Sequence, residues 1–416
     1  MPEKAKRLLL FAYTSLMAMW FVGFILWLIK LGMQHHLLAF QSGSELALAT
    51  YTSLYSCASI IFSPDRGHLY DMVTQWKHFN AVIAPLHSEI VPGIHSVPWL
   101  VLLMAPFTLL PLDASFVAWN VFCCAVGIAG MVSLLRYLKY DDPKLMAVML
   151  LSWAAWFPSG HAIKDGQPPW LYTGLIAWFC RFWLERAEWR AGGMLGLLSI
   201  KPQYLPFLGL ATVLQKRWKI VLTAGAVVAM LVLISGFAIG WDSILGYPRF
   251  MWEGEKRLPW VPGSWIVSIR GPLTLLIGYQ QALFASSIIE AITLVALFPL
   301  WWRTDDDARR QKLALAITLV VSLVMNNHVM FYDLTQLAPP AVLAMSAFGE
   351  GTSSASRTAS RVWQGLFIAF GVLGCLLFVF FELVPLFNLL ALTYFVLDVL
   401  IAAVLITFAV KTWRNA

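Results

Sequence analysis

The sequence predicts an all-α, polytopic membrane protein, and three observations carry that prediction. Of its 416 residues 60% are hydrophobic and only 12% are charged, about half the charged share of a soluble domain. Apolar stretches of membrane-spanning length recur from end to end. Basic residues cluster in short polar stretches between them: EKAKR at the start, RAEWR (186–190), QKRWK (215–219), RRQK (309–312), SRTASR (356–361) and KTWRN (411–415). That is the positive-inside pattern. It accounts for the net charge of +7 without nucleic acid as a partner. It also places both termini in the cytoplasm, which requires an even number of crossings.

In chain order, membrane helices are expected over 8–30, 97–112, 115–136, 145–160, 168–184, 190–214, 219–240, 265–278, 281–302, 312–327, 334–348, 363–382 and 387–410. Several are short or interrupted, so about 10–13 crossings are predicted. Segment 8–30 reads as a retained first helix, because its apolar core is too long for a leader and no small-x-small site follows. Segment 43–62 mixes polar and apolar residues and suits a helix lying at the interface, packed over a cavity, within a first extracytoplasmic loop of 32–95. Segment 97–112 is a candidate for a re-entrant piece, since a crossing there would put RYLKYDDPK (136–144) outside, against the charge rule. Segment 190–214 is broken at Lys201–Pro202, because proline lacks a backbone donor and clashes with the preceding turn. Segment 240–271 reads as a long Trp-rich loop, and 349–361 as a flexible cytoplasmic loop. The chain is read as one transmembrane domain over 1–416. Its five cysteines show no Cys-x-x-Cys and no metal spacing, so neither a disulfide framework nor a metal is expected.

Polar motifs gather on the face opposite the basic loops: KDGQPPW (164–170), KPQ (201–203), the 240–271 stretch and NNHVMFYDLTQ (326–336). Irregular polar sequence concentrated at helix ends on one side of a membrane protein marks a site. A lysine inside a membrane helix costs about 2.5–3.5 kcal/mol on insertion scales. Lys201, beside a proline break, suits an anionic lipid headgroup such as a phosphate; the alternative is a lysine that snorkels from a helix end. Arg270 is a second candidate phosphate ligand or a plain interfacial arginine. Gln167, Gln203, His328, Tyr332 and Asp333 are candidate substrate-binding residues, with Asp333 alternatively serving only the start of its helix. Without Rossmann fingerprint or P-loop, a nucleotide-linked substrate is not expected, and no cofactor is required.

Taken in order, these motifs resemble glycosyltransferase family 87. The match rests on LYDMVTQW (69–76) with VPWLVLLMAPFTLLP (97–111), DGQPPWLYTGLIAW (165–178), GMLGLLSIKPQYLPFL (193–208), SWIVSIRGPLTLLIG (264–278) and NNHVMFYDLTQLAPP (326–340). The resemblance implies a GT-C-like bundle and transfer of a sugar, as in the mannosyltransferases of this family, from a polyprenyl-phosphate donor to a lipid or glycan acceptor. The expected place is the outer face of a bacterial cytoplasmic membrane, with membrane lipids as further partners. It also implies an acid ahead of the tyrosine–aspartate element, the base for the acceptor hydroxyl. Here Thr50 stands at that position, and Tyr51, Leu54 and Tyr55 keep the rest of the pattern. Threonine is no base near neutral pH. Asp65, Glu45 and Asp71 are the nearest candidate carboxylates. The rival reading is a carrier or binding protein for lipid-linked sugars. If Lys201 binds the donor phosphate, Lys201→Ala is expected to weaken donor binding and leave folding nearly intact.

Overall fold

The computed structural model describes residues 49–85, 87–89, 94–257, 266–304, 307–350, 358–367 and 399–407, with Gly23 and Val396. Glu45, the first apolar segment and most of the last two lie outside the described residues. The protein is an all-α polytopic membrane protein. Among the described residues the only extended pairing is a single antiparallel bridge between Ile266 and Met330. Three helices there are long and apolar enough to cross a membrane: Leu112–Tyr137, Trp218–Ile239 and the continuous Tyr279–Trp302.

The amino-terminal part holds α1 (Ala49–Ile60), α2 (Met72–Ile83) and α3 (Pro98–Met104), the last extended by a 3₁₀ turn over Ala105–Leu109. The bundle follows with α4 (Leu112–Tyr137), α5 (Pro143–Ala154), α6 (Phe157–Lys164) and α7 (Pro169–Leu184). Then come α8 (Glu188–Leu197), α9 (Leu205–Leu214), α10 (Trp218–Ile239) and α11 (Trp241–Arg257). The rest is α12 (Arg270–Ile277), α13 (Tyr279–Ala296), α14 (Phe298–Trp302), α15 (Ala308–Met325) and α16 (Ala338–Gly349). Prolines open α3, α5 and α7, where a missing N–H costs nothing. α15 is the central post: every residue from Gln311 to Val324 is buried, as expected for a helix with apolar character all round.

Glycines set the closest helix approaches. α4 and α7 run side by side, and a Cβ on Gly130 or Gly174 would overlap the backbone of the other helix. α8 lies on the first half of α10, where a Cβ on Gly192 would sit 2.6 Å from Thr223 Cβ and one on Gly196 2.6 Å from Val227 Cβ.

The basic loops meet at one end of the bundle. Arg181 Nη1 donates to Ser133 Oγ at 2.6 Å, and Arg217 Nη1 to the Trp183 carbonyl at 2.7 Å. Gln215 Nε2 donates to the carbonyls of Trp301 and Thr304, Trp183 Nε1 to Gln311 Oε1, and Lys312 pairs with Glu350. These bonds show how segment 186–217 runs. α8 leaves this end, the chain turns at Lys201, and α9 returns to the same end. The segment expected as one broken span is a hairpin of two half-helices.

Segment 98–109 is tied to the 49–83 region at both of its ends. Tyr70 Oη donates to the Ser96 carbonyl at 2.8 Å, and Tyr55 Oη to the Leu110 carbonyl at 2.9 Å. Arg181 at the end of α7 bonds Ser133 near the end of α4, so 136–144 falls at the basic end.

Two further expectations change. The mixed pattern of 43–62 implies one wet face, yet in α1 the polar residues Thr52, Ser53 and Ser56 are buried along with Leu54 and Cys57. α2 and the 98–109 segment pack over it, so the polar residues are small hydroxyls that fit among helices. The start of the Trp-rich 240–271 stretch is the helix α11, docked by Ser243 Oγ on the Gly67 carbonyl and by Tyr247 Oη on the His95 carbonyl.

Candidate active site

At the end opposite the basic loops, Lys201 occupies the apex of the α8–α9 hairpin, between 3₁₀ turns Leu198–Ile200 and Pro202–Tyr204. The following proline keeps it out of the helical region: its backbone lies at φ −132°, ψ 81°. Its ammonium forms an ion pair with Asp333 Oδ1 and lies 5.3 Å from the centroid of the Tyr172 ring. Asp333 is only 1% exposed and Lys201 11%. Two residues singled out separately in the sequence are thus partners, and neither is a lone interfacial charge.

Asp333 sits in a 3₁₀ turn, Phe331–Leu337, that leads into α16. Its other oxygen accepts the Met330 N–H at 3.0 Å, and Gln336 Nε2 donates to Oδ1 at 3.3 Å. Tyr204 is buried beside this pair. Gln203 Oε1 is buried with no hydrogen-bond partner among the described residues.

This geometry overturns one expectation. Removal of Lys201 would leave a carboxylate enclosed without its counter-charge, so folding would not survive intact.

Arg270 opens α12 and is fully enclosed. Its Nη1 lies 3.3 Å from the Asn327 carbonyl and 3.3 Å from His328 Nε2, and the guanidinium stacks 4.4 Å from the Tyr279 ring centroid. Arg270 and His328 therefore come together as a brace for the turn five residues before Asp333.

Asp65 lies in a 3₁₀ turn, Pro64–His68, and bonds Lys77 Nζ at 3.0 Å and His78 Nε2 at 3.1 Å. The hydrogen bonds from Lys77 and His78 hold its carboxyl below the usual carboxylate range. Asp71 caps α2, accepting the Thr74 N–H at 2.8 Å and the Thr74 hydroxyl at 2.9 Å. Neither contacts Lys201 or Asp333, and Glu45 lies outside the described residues. Thr50 is exposed near the start of α1.

The KDGQ stretch ends α6. Gly166 takes φ +60°; its N–H bonds the Ile163 carbonyl at 3.1 Å, and the Gln167 N–H bonds the Ala162 carbonyl at 2.8 Å. This is the two-bond Schellman stop that a left-handed glycine permits. The stop is clamped from two sides. Trp119 Nε1 donates to the Gly166 carbonyl at 3.0 Å, and the Tyr51 ring lies where a Cβ on Gly166 would stand, 2.5 Å from Cδ2. Gln167, half-buried, turns back toward the Asp165 carbonyl at 3.5 Å.

Asp165 is a further candidate on this stop, one that no sequence signal singled out. Burial raises its carboxyl to about 6, against the pull of Lys164. Burial first, then the charges of Asp333 and Asp165, push the Tyr332 hydroxyl well above its usual range. The 331–337 turn also packs on α6 through Phe331, 4.8 Å from the His161 ring centroid.

Fold and site together define a polytopic membrane protein with a polar centre at one end of its bundle, built around a buried lysine–aspartate pair. A family model for glycosyltransferase family 87 matches residues 97–328, more than half of the chain, and the chain belongs to that family. The matched region contains Lys201, Arg270 and the Schellman stop and ends short of Asp333. No curated protein and no solved structure matches the chain.

Proposed function

We propose that this chain transfers a monosaccharide from a polyprenyl-phosphate donor to a lipid or glycan hydroxyl, on the extracytoplasmic face of a bacterial cytoplasmic membrane. The observation that carries the reading is Lys201, held by Asp333 at a hairpin apex opposite the basic loops. By the positive-inside rule the basic end is cytoplasmic, so the site faces outward. A lipid-linked donor suits a site there, since it needs no cytoplasmic nucleotide.

A lysine ammonium has three N–H donors, and Asp333 Oδ1 accepts one. The ammonium is thereby fixed in place before substrate arrives. Fixed positive charge at the position where a leaving phosphate gains negative charge stabilises the transition state without reorganisation. Arg270 supports this indirectly, by bracing the 326–328 turn that carries the chain to Asp333. Gln167, Gln203 and Tyr332 are polar groups in the surrounding elements that suit sugar hydroxyls.

Incubation of the purified full chain, in lipid nanodiscs, with a panel of undecaprenyl-phosphate sugars and membrane lipid acceptors tests the reading. Mass spectrometry is expected to show consumption of a donor and release of undecaprenyl phosphate. Threonine at position 50, where the family resemblance implies an acid, favours a second reading, a carrier for lipid-linked sugars. Donor binding without consumption would establish it.

A further inference from the structure

We propose that Asp165, on the Schellman stop of α6, is the catalytic base that removes the proton from the acceptor hydroxyl. The proposal rests on the glycosyltransferase reading above. In the step, the Asp165 carboxylate takes the hydroxyl proton while the acceptor oxygen bonds to the anomeric carbon. The bond from that carbon to the phosphate oxygen breaks, and its electron pair leaves with the phosphate.

A base needs a carboxylate that is not already committed, and most carboxylates around this end are committed. Asp333 is paired with Lys201, Asp65 with Lys77 and His78, and Asp71 with the start of α2. Asp113 and Asp242 are exposed in the first turns of their helices. Among the described residues no hydrogen bond or ion pair holds the Asp165 carboxyl; Lys164, its chain neighbour, is the one charge that acts on it appreciably.

The carboxyl is also well placed and well held. Its residue is half-buried, so it is reachable yet shielded from bulk water. The Gly166 stop, the Trp119 hydrogen bond and the Tyr51 ring fix the backbone on both sides of it. Rigid support of this kind is what positions a catalytic group. Lys201 lies 5.3 Å from the ring of Tyr172, in the first turns of the helix that starts four residues after Asp165, and Phe331 packs 4.8 Å from His161 on α6, which places the base on the same side of the bundle as the Lys201–Asp333 pair. Burial shifts Asp165 to about 6, close to the working pH, where a general base is most effective. The titratable and charged groups that act with it are Lys164 from α6 and Tyr332 from the 331–337 turn.

The test uses the full chain in nanodiscs, with the donor that wild type consumes. Asp165→Asn is expected to lower turnover by about 10²–10⁴ while donor binding and the thermal unfolding midpoint stay near wild type. The wild-type rate is expected to rise with pH through about 6, as the carboxyl loses its proton, and this limb should vanish in the variant. A second variant guards against a merely structural loss. Asp165→Glu, which keeps the carboxylate, is expected to retain at least tenfold more of the rate than Asp165→Asn and to keep the pH limb. Full turnover and an unchanged pH profile in Asp165→Asn, with an active wild type, would overturn the assignment of the base alone. Equally slow, pH-independent turnover in the Asp165→Asn and Asp165→Glu variants would do the same, since Glu retains the carboxylate. A wild type that consumes no lipid-linked sugar would overturn the transferase reading and the base with it.

Discussion

Replacing Lys201 by Met is expected to cost about 3–5 kcal/mol of stability, because it strips the counter-charge from a carboxylate that stays enclosed. Asp333 is 1% exposed, and its remaining partners are the Met330 N–H and the Gln336 amide. Two neutral donors do not compensate a full buried charge. The double variant Lys201→Met/Asp333→Leu removes both charges, and a buried pair replaced by apolar groups is often neutral or better. Its unfolding midpoint is therefore expected to recover most of the single-variant loss. The pair of variants also separates structure from function. If Lys201 serves the donor phosphate, the stable double variant should still bind donor on the order of tenfold or more weakly, the worth of one charge-assisted hydrogen bond. Native donor affinity in the double variant would show that Lys201 only ties the hairpin to the 331–337 turn.

Gly174→Leu is expected to be the most damaging substitution away from the polar site. A Cβ at Gly174 would overlap the Val126 carbonyl, and α4 faces it with Gly127 and Gly130. The obstacle is backbone on a rigid helix, so no side chain can step aside. Overpacking in a tight core costs about 1–3 kcal/mol and sometimes more; here two helices must separate along their length, so the upper end is expected. Gly193→Leu is the control, since nothing lies within 4 Å of its Cβ position. The thermal midpoint in detergent should fall sharply for Gly174→Leu and barely move for Gly193→Leu. Leucine is the better helix former, so propensity favours both variants, and equal losses would mean that close approach to α4 is not what Gly174 serves.

Helix identity was legible in the sequence because composition alone decides it. An apolar stretch in a bilayer has to close its own hydrogen bonds, and α4, α10 and α13 appear close to their expected bounds. The path of the chain was less legible. The Lys201–Pro202 break is visible in the sequence, but whether the chain continues or turns back there depends on Gln215 and Arg217 finding carbonyls at Trp183, Trp301 and Thr304. Such partners are over thirty residues away and leave no local trace. The same holds for the site. Lys201 and Asp333 each stood out as a charge among apolar residues, but nothing in sequence shows that they neutralise each other across 132 positions. Asp165 was visible too, in a DG dipeptide that signals a helix stop. Locally it reads as an ordinary helix stop, and only the fold brings that stop against Tyr51.

The α8–α9 hairpin constrains how the protein is made. Each half has ten residues, roughly 15 Å of helix against a hydrocarbon layer of about 30 Å. Neither half can insert as an independent span, and the lysine and proline between them discourage insertion as a single one. What holds α8 is the groove on α10, entered through Gly192 and Gly196, and α10 emerges from the ribosome after the hairpin. The Asp333 that neutralises Lys201 emerges later still. The hairpin gains its helix partner once α10 is made, but Lys201 stays without its counter-charge while more than a hundred further residues are synthesised, and the centre of the protein is among the last parts to become secure.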